Sequence, residues 1–113
     1  MAAAVALIGP AIGLATTASA APPPDGAYVL TVTGSTNPAK ASVGSWLDMN
    51  LSSCGESCVH ADGDVGPVDL HPQGSMWSGT WGRGAKVWFD ENSLAGGIDS
   101  ADGVHVDTQM RHA

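Results

Sequence analysis

The sequence predicts a small all-β domain, an antiparallel meander of five or six strands that forms a partial barrel or a sandwich. Three observations support this prediction. Short segments alternate apolar and polar residues with a period of two, and no segment after residue 20 sustains a helical period. Glycine and proline, with 15 and 7 of the 113 residues, are frequent enough to supply many tight connections.

Strands are predicted where alternating apolar and β-branched residues are bounded by turn signals. The segments with this pattern are residues 27–34, 45–53, 68–70, 75–81, 85–89 and 104–110. In the first of them, Tyr28, Leu30 and Val32 share one face, as expected of a half-buried strand. Residues 94–97, with the sequence LAGG, favour a loop because two adjacent glycines weaken a strand.

The first 20 residues contain no charged side chain and end in the small-x-small triplet ASA, followed by APPP. This composition is typical of an export signal, although the usual basic start is missing and the first basic residue is Lys40. A retained membrane anchor and an apolar first element of the fold are the alternatives. We therefore expect an export signal at residues 1–20, a proline-rich lead-in at 21–26 and a single β-rich domain at 27–113. The protein is then secreted or located in the cell envelope.

The predicted domain is acidic, since eleven Asp and Glu residues against four Lys and Arg residues give a net charge of −7. Nucleic acids and anionic lipid surfaces are bound by dense basic patches, and the four basic residues form none in the sequence. We therefore expect no nucleic-acid partner, and no membrane span once the signal has been cleaved. The expected partner is an extracellular or envelope component of unknown identity.

Cys54 and Cys58 lie close together in the segment CGESC. Outside the cytoplasm, two cysteines at this spacing are expected to form a disulfide that locks the tip of a hairpin. A metal site formed by Cys54, Cys58, His60 and His71 is an alternative, but the histidine spacing matches no known paired arrangement. Redox exchange is a third possibility, although redox pairs usually have two residues between the thiols. We expect neither a metal nor a cofactor.

The order of these motifs points to a family. The segment DGAY at residues 25–28 is followed by Trp46, then by CGESCVH at 54–60, and then by Gly-Thr-Trp at 79–81. This combination resembles the small exported proteins of mycobacteria and related actinobacteria, which share an alanine-rich signal and a CGxxC hairpin. The resemblance covers about residues 25–81. It implies export and little about activity, because the function of that group is largely unknown.

Tryptophans make up four of the six aromatic residues. A thin sheet can use such large side chains to fill its centre. Alternatively, Trp77 and Trp81, which share a face across Gly79, form with Trp46 an exposed patch that stacks on a sugar ring or receives a partner.

Catalytic candidates are few, since no serine lies in a G-x-S-x-G elbow and the histidines are expected on exposed strand faces. The sequence therefore favours a non-catalytic interaction module outside the cytoplasm. The alternative is a β-barrel that binds a small ligand at a site lined by tryptophan.

Overall fold

The computed structural model describes residues 22–113, so the predicted export signal at residues 1–20 lies outside the described residues. The described residues form eight antiparallel strands, each paired with the next, and the last strand pairs with the first to close a barrel. The strands are β1 (Gly26–Ser35), β2 (Trp46–Gly55), β3 (Cys58–Gly63), β4 (Val68–Gln73), β5 (Met76–Trp81), β6 (Ala85–Asp90), β7 (Ala95–Asp99) and β8 (His105–His112). In the part of the chain that the structure describes, no helix is long and apolar enough to cross a membrane.

The predicted all-β antiparallel meander is confirmed, but the prediction of a partial barrel or sandwich with five or six strands is wrong. The prediction lacks β3 and β7. The local sequence of both strands has a weak strand preference, because β3 ends in the turn signal Asp62-Gly63 and β7 contains Gly96 and Gly97. Each of the two strands is nevertheless paired along both edges, β3 with β2 and β4, and β7 with β6 and β8. This pairing with neighbouring strands overrides the weak local preference.

Closure of the barrel depends on the pairing of β1 with β8. Leu30 lies opposite Met110, and after a register shift between Val32 and Gly34 the pairing continues with Gly34 opposite Asp107. Such an irregularity increases the local twist and bends the strand, which helps a sheet to curve into a barrel. A closed sheet leaves no unpaired strand edge.

Alternate residues of the strands point into the barrel and form its core. Tyr28, Met49, Leu70 and Trp77 are among the largest side chains that are almost completely buried there. Burial of one such side chain stabilises the fold by about 1.5–3 kcal/mol. The indole Nε1 of Trp77 donates a hydrogen bond to Glu91 Oε1 at 3.0 Å, so its one polar group remains satisfied.

The two ends of the barrel differ. Because the strands alternate in direction, the β2–β3, β4–β5 and β6–β7 connections lie at one end, and the other four connections lie at the opposite end. We call the first the disulfide end, because the predicted pair of Cys54 and Cys58 lies there at disulfide-bonding distance, with Cα atoms 5.1 Å apart. We call the opposite end the mouth.

Candidate functional site

A cavity of about 640 Å³ opens at the mouth. Its walls are the inward-facing ends of four strands, with Val32 on β1, Leu47 on β2, Ile98 on β7 and Val106 on β8. Val32 and Val106 are buried but lie outside the main cluster of core side chains. The volume lies within the range of about 300–1,000 Å³ that is typical of small-molecule sites.

Two loops form the rim of this cavity, the β1–β2 loop (residues 36–45) and the β7–β8 loop (residues 100–104). Lys40 Nζ donates a hydrogen bond to Asp102 Oδ2 at 3.0 Å and thereby ties the two loops together. The hydroxyl of Ser100 also donates to the Asp102 carboxylate. These bonds, first from Ser100 and then from Lys40, lower the pKa of Asp102 to about 2, so the carboxylate is ionised at neutral pH.

Internal hydrogen bonds fix the β1–β2 loop over the cavity. Val32 N donates to Ser45 O and Gly44 N donates to Val32 O, each at 2.8 Å. The end of the loop therefore continues the backbone pairing between β1 and β2 beyond the first residue of β2. Ser42 Oγ donates to Pro38 O at 3.3 Å, and Ser45 Oγ donates to Ser42 O at 2.5 Å. The rim is therefore formed before any ligand arrives. The hydroxyl hydrogens of Ser42 and Ser45 are already used in hydrogen bonds within the loop.

A second polar cluster lies on the outer wall, where β8 begins. His105 Nδ1 lies 2.6 Å from Asp99 Oδ1, and its Nε2 lies 3.0 Å from Asp107 Oδ1. The hydrogen bond with Asp99 and then the one with Asp107 raise the pKa of His105. Its imidazole stacks on the indole of Trp88, with ring centroids 5.7 Å apart. The imidazolium is the form that donates from both nitrogens, so the cluster favours a protonated ring.

The same arrangement recurs on β3 and β4. His60 Nδ1 lies 2.8 Å from Asp69 Oδ1, and its Nε2 lies 3.6 Å from Asp62 Oδ2. The pKa of His60 is raised, chiefly by the hydrogen bond with Asp69. Prediction from the sequence missed both clusters. The signal that could have found them is a repeated tetrapeptide, VHAD at residues 59–62 and VHVD at residues 104–107.

The four predicted metal candidates do not converge on one point. His60 is held by Asp69, and His71 Nδ1 lies 3.2 Å from a backbone oxygen of the β2–β3 turn. Among residues 22–113, the group of three possible ligands with atoms within 4.8 Å of one another is Cys54, Cys58 and Asp69. Because metals bind thiolates, a cysteine pair at disulfide-bonding distance does not supply the sulfur ligands that zinc prefers.

The structure separates the three tryptophans of the predicted patch. Trp77 is 0% exposed and Trp81 packs against the core, whereas Trp46 is 63% exposed on the outer wall. Trp77 and Trp81 do share one face of β5, as predicted, but in the closed barrel this face points inward. The three side chains therefore do not form one exposed patch. Nor does any tryptophan of the described residues line the cavity at the mouth.

No protein-family model, curated protein or solved structure matches this chain. The resemblance to small exported actinobacterial proteins therefore stays a prediction, as does secretion itself.

Proposed function

We propose that this protein binds a small apolar molecule in the cavity at the mouth of its barrel. The observation that carries the proposal is a concave space of about 640 Å³ whose lining is mainly aliphatic. A preformed apolar hollow at the mouth of a β-barrel is a common place for a small-molecule site. The backbone bonds that hold the β1–β2 loop support a site that needs little rearrangement on binding.

The chemistry of the lining supports binding rather than turnover. Lys40 and Asp102 are its titratable side chains, and they are paired with each other. With a pKa of about 2, Asp102 is a poor general base near neutral pH, where catalysis needs a group that exchanges protons readily. No histidine of the described residues lines the cavity, so its serines lack the partner that would activate a nucleophile.

We further propose that the protein acts outside the cytoplasm as a non-catalytic binding module. The composition of residues 1–20 supports export. The pair of Cys54 and Cys58 supports folding in an oxidising compartment, where disulfides persist. Because the closed sheet leaves no free strand edge, the cavity is better suited to recognition than the barrel wall is.

Titration with N-phenyl-1-naphthylamine, an uncharged dye whose emission rises in apolar surroundings, tests the proposed site. We expect saturable binding of one dye per chain. Val104→Trp places a bulky side chain at the cavity and is expected to weaken binding at least about tenfold. Val43→Trp is the matched control, since Val43 is 58% exposed in the β1–β2 loop and does not line the cavity. Equal affinity in the two variants, with both folded by circular dichroism, would place the dye elsewhere and refute the proposal.

A further inference from the structure

We infer that the ligand of the mouth cavity is an uncharged aliphatic molecule that carries a hydroxyl group, such as a medium-chain alcohol. This inference rests on the proposed function and adds the chemistry of the ligand. Three observations lead to it: the balanced charge of the rim, the acidity of the whole chain and the state of the serine hydroxyls at the rim.

The charge of the lining is balanced. Lys40 and Asp102 carry opposite charges with Nζ and Oδ2 at 3.0 Å, and the Asp102 carboxylate is held ionised. A ligand carboxylate at the rim would have to share Lys40 and would lie close to the like charge of Asp102. A ligand ammonium would meet the same difficulty with Lys40. Like charges a few ångströms apart repel by several times the thermal energy near a protein surface, whereas an uncharged head group meets no such repulsion.

The net charge of the chain also disfavours anionic ligands. The sequence carries a formal charge of −7, so the field around the molecule opposes the approach of a carboxylate or a phosphate. Cations are attracted by this field, but at the cavity they would have to leave water for walls that are mainly aliphatic. An uncharged ligand avoids both costs.

The rim offers both acceptors and donors to an uncharged ligand. The hydroxyl hydrogens of Ser42, Ser45 and Ser100 are directed at Pro38 O, Ser42 O and the Asp102 carboxylate. Each of these hydroxyls therefore presents lone pairs that accept a hydrogen bond. Lys40 keeps ammonium hydrogens beyond the one directed at Asp102. A hydroxyl group both donates and accepts, so it suits such a rim while its alkyl chain contacts Val32, Leu47 and Ile98.

Three probes with the same chain separate the possible head groups: 1-octanol, octanoate and octylammonium. Their affinities are measured by NMR from the methyl signals of Leu47 and Ile98. We expect 1-octanol to bind at least about tenfold more tightly than either ion. Asp102→Asn keeps an acceptor for Ser100 but frees Lys40, so the ratio of 1-octanol affinity to octanoate affinity should fall at least about fivefold, because octanoate gains a cation. Asp25→Asn is the matched control, since it changes the net charge equally at the disulfide end.

The outcomes distinguish this inference from the proposed function. If octanoate or octylammonium binds the unmodified protein as tightly as 1-octanol, the inference about the ligand is overturned and the apolar site stands. If Asp25→Asn improves octanoate binding as much as Asp102→Asn does, the rim pair does not set the preference. If none of the three probes moves the methyl signals of the cavity, the proposed function itself fails.

Discussion

His105 illustrates how single residues on the outer wall are constrained by their neighbours. Carboxylates of Asp99 and Asp107 contact both of its ring nitrogens, and its ring lies over the indole of Trp88. A neutral imidazole has one N–H and would leave one carboxylate facing a lone pair. The protonated ring satisfies both carboxylates, and its charge is also attracted by the indole face.

We predict that the pKa of His105, measured by NMR titration of its ring protons, lies above the ordinary value of about 6.5. Asp99→Asn should lower this pKa more than Asp107→Asn does, because the hydrogen bond with Asp99 raises the pKa more than the one with Asp107. Because the pKa of His105 is higher in the folded state than in the unfolded state, protonation of His105 stabilises the fold. This stabilisation is complete below about pH 6.5 and is lost as the pH rises through the folded-state pKa. The melting temperature of the unmodified protein should therefore approach that of His105→Gln as the pH increases. A His105 pKa that neither substitution moves would contradict this account.

At the scale of elements, β7 shows why a glycine-rich segment forms a strand here. The indole of Trp88 lies against Gly97, which is opposite it on the neighbouring strand. A Cβ atom at Gly97 would come within 2.6 Å of Trp88 Cζ2 and within 2.8 Å of the backbone oxygen of Val106. Because Gly97 has no side chain, β6, β7 and β8 can pack beneath the indole of Trp88. An aromatic ring that packs over a strand glycine in this way compensates for the low strand propensity of glycine.

We predict that Gly97→Ala destabilises the barrel by about 1–3 kcal/mol, the usual range for adding a group to a packed site. The backbone oxygen of Val106 cannot move aside as a flexible side chain does. Urea denaturation measures the effect. Ala95→Ser, at an exposed position of the same strand, is the control and should change the free energy of unfolding by less than about 0.5 kcal/mol. If the two variants are equally stable, Gly97 is not needed for the packing of Trp88.

Six of the eight strands in residues 22–113 could be predicted from the sequence because their alternation is local, as in Tyr28, Leu30 and Val32 of β1. The sequence also placed Trp77 and Trp81 correctly on one face, but alternation alone does not say whether that face points inward or outward. The mouth could not be predicted in this way. Lys40 and Asp102 are 62 positions apart, and nothing in either local segment indicates that β1 and β8 pair and bring the two loops together.

At the scale of the whole molecule, the barrel is closed by its first and last strands. The pairing of β1 with β8 joins residues that are far apart in the sequence, and the entropy of bringing them together has to be offset by the contacts that closure creates. Those contacts are inward-facing side chains such as Leu30 and Met110, which belong to the same core cluster as Trp77 on the far side of the barrel. Because one core serves every strand, the molecule should unfold as a unit.

Met110→Ala tests this cooperativity. Met110 is almost fully buried on β8, so its truncation should cost about 2–5 kcal/mol of unfolding free energy. Arg111→Ala, at the exposed neighbouring position, is the control and should cost less than about 0.5 kcal/mol. Unfolding in urea should give coincident midpoints by far-UV circular dichroism and by tryptophan fluorescence, because the buried Trp77 on β5 senses damage made at the closing strand. Two separate transitions in the Met110→Ala variant would instead mean that β8 detaches while the remaining sheet stays folded, and that the barrel does not depend on its closure.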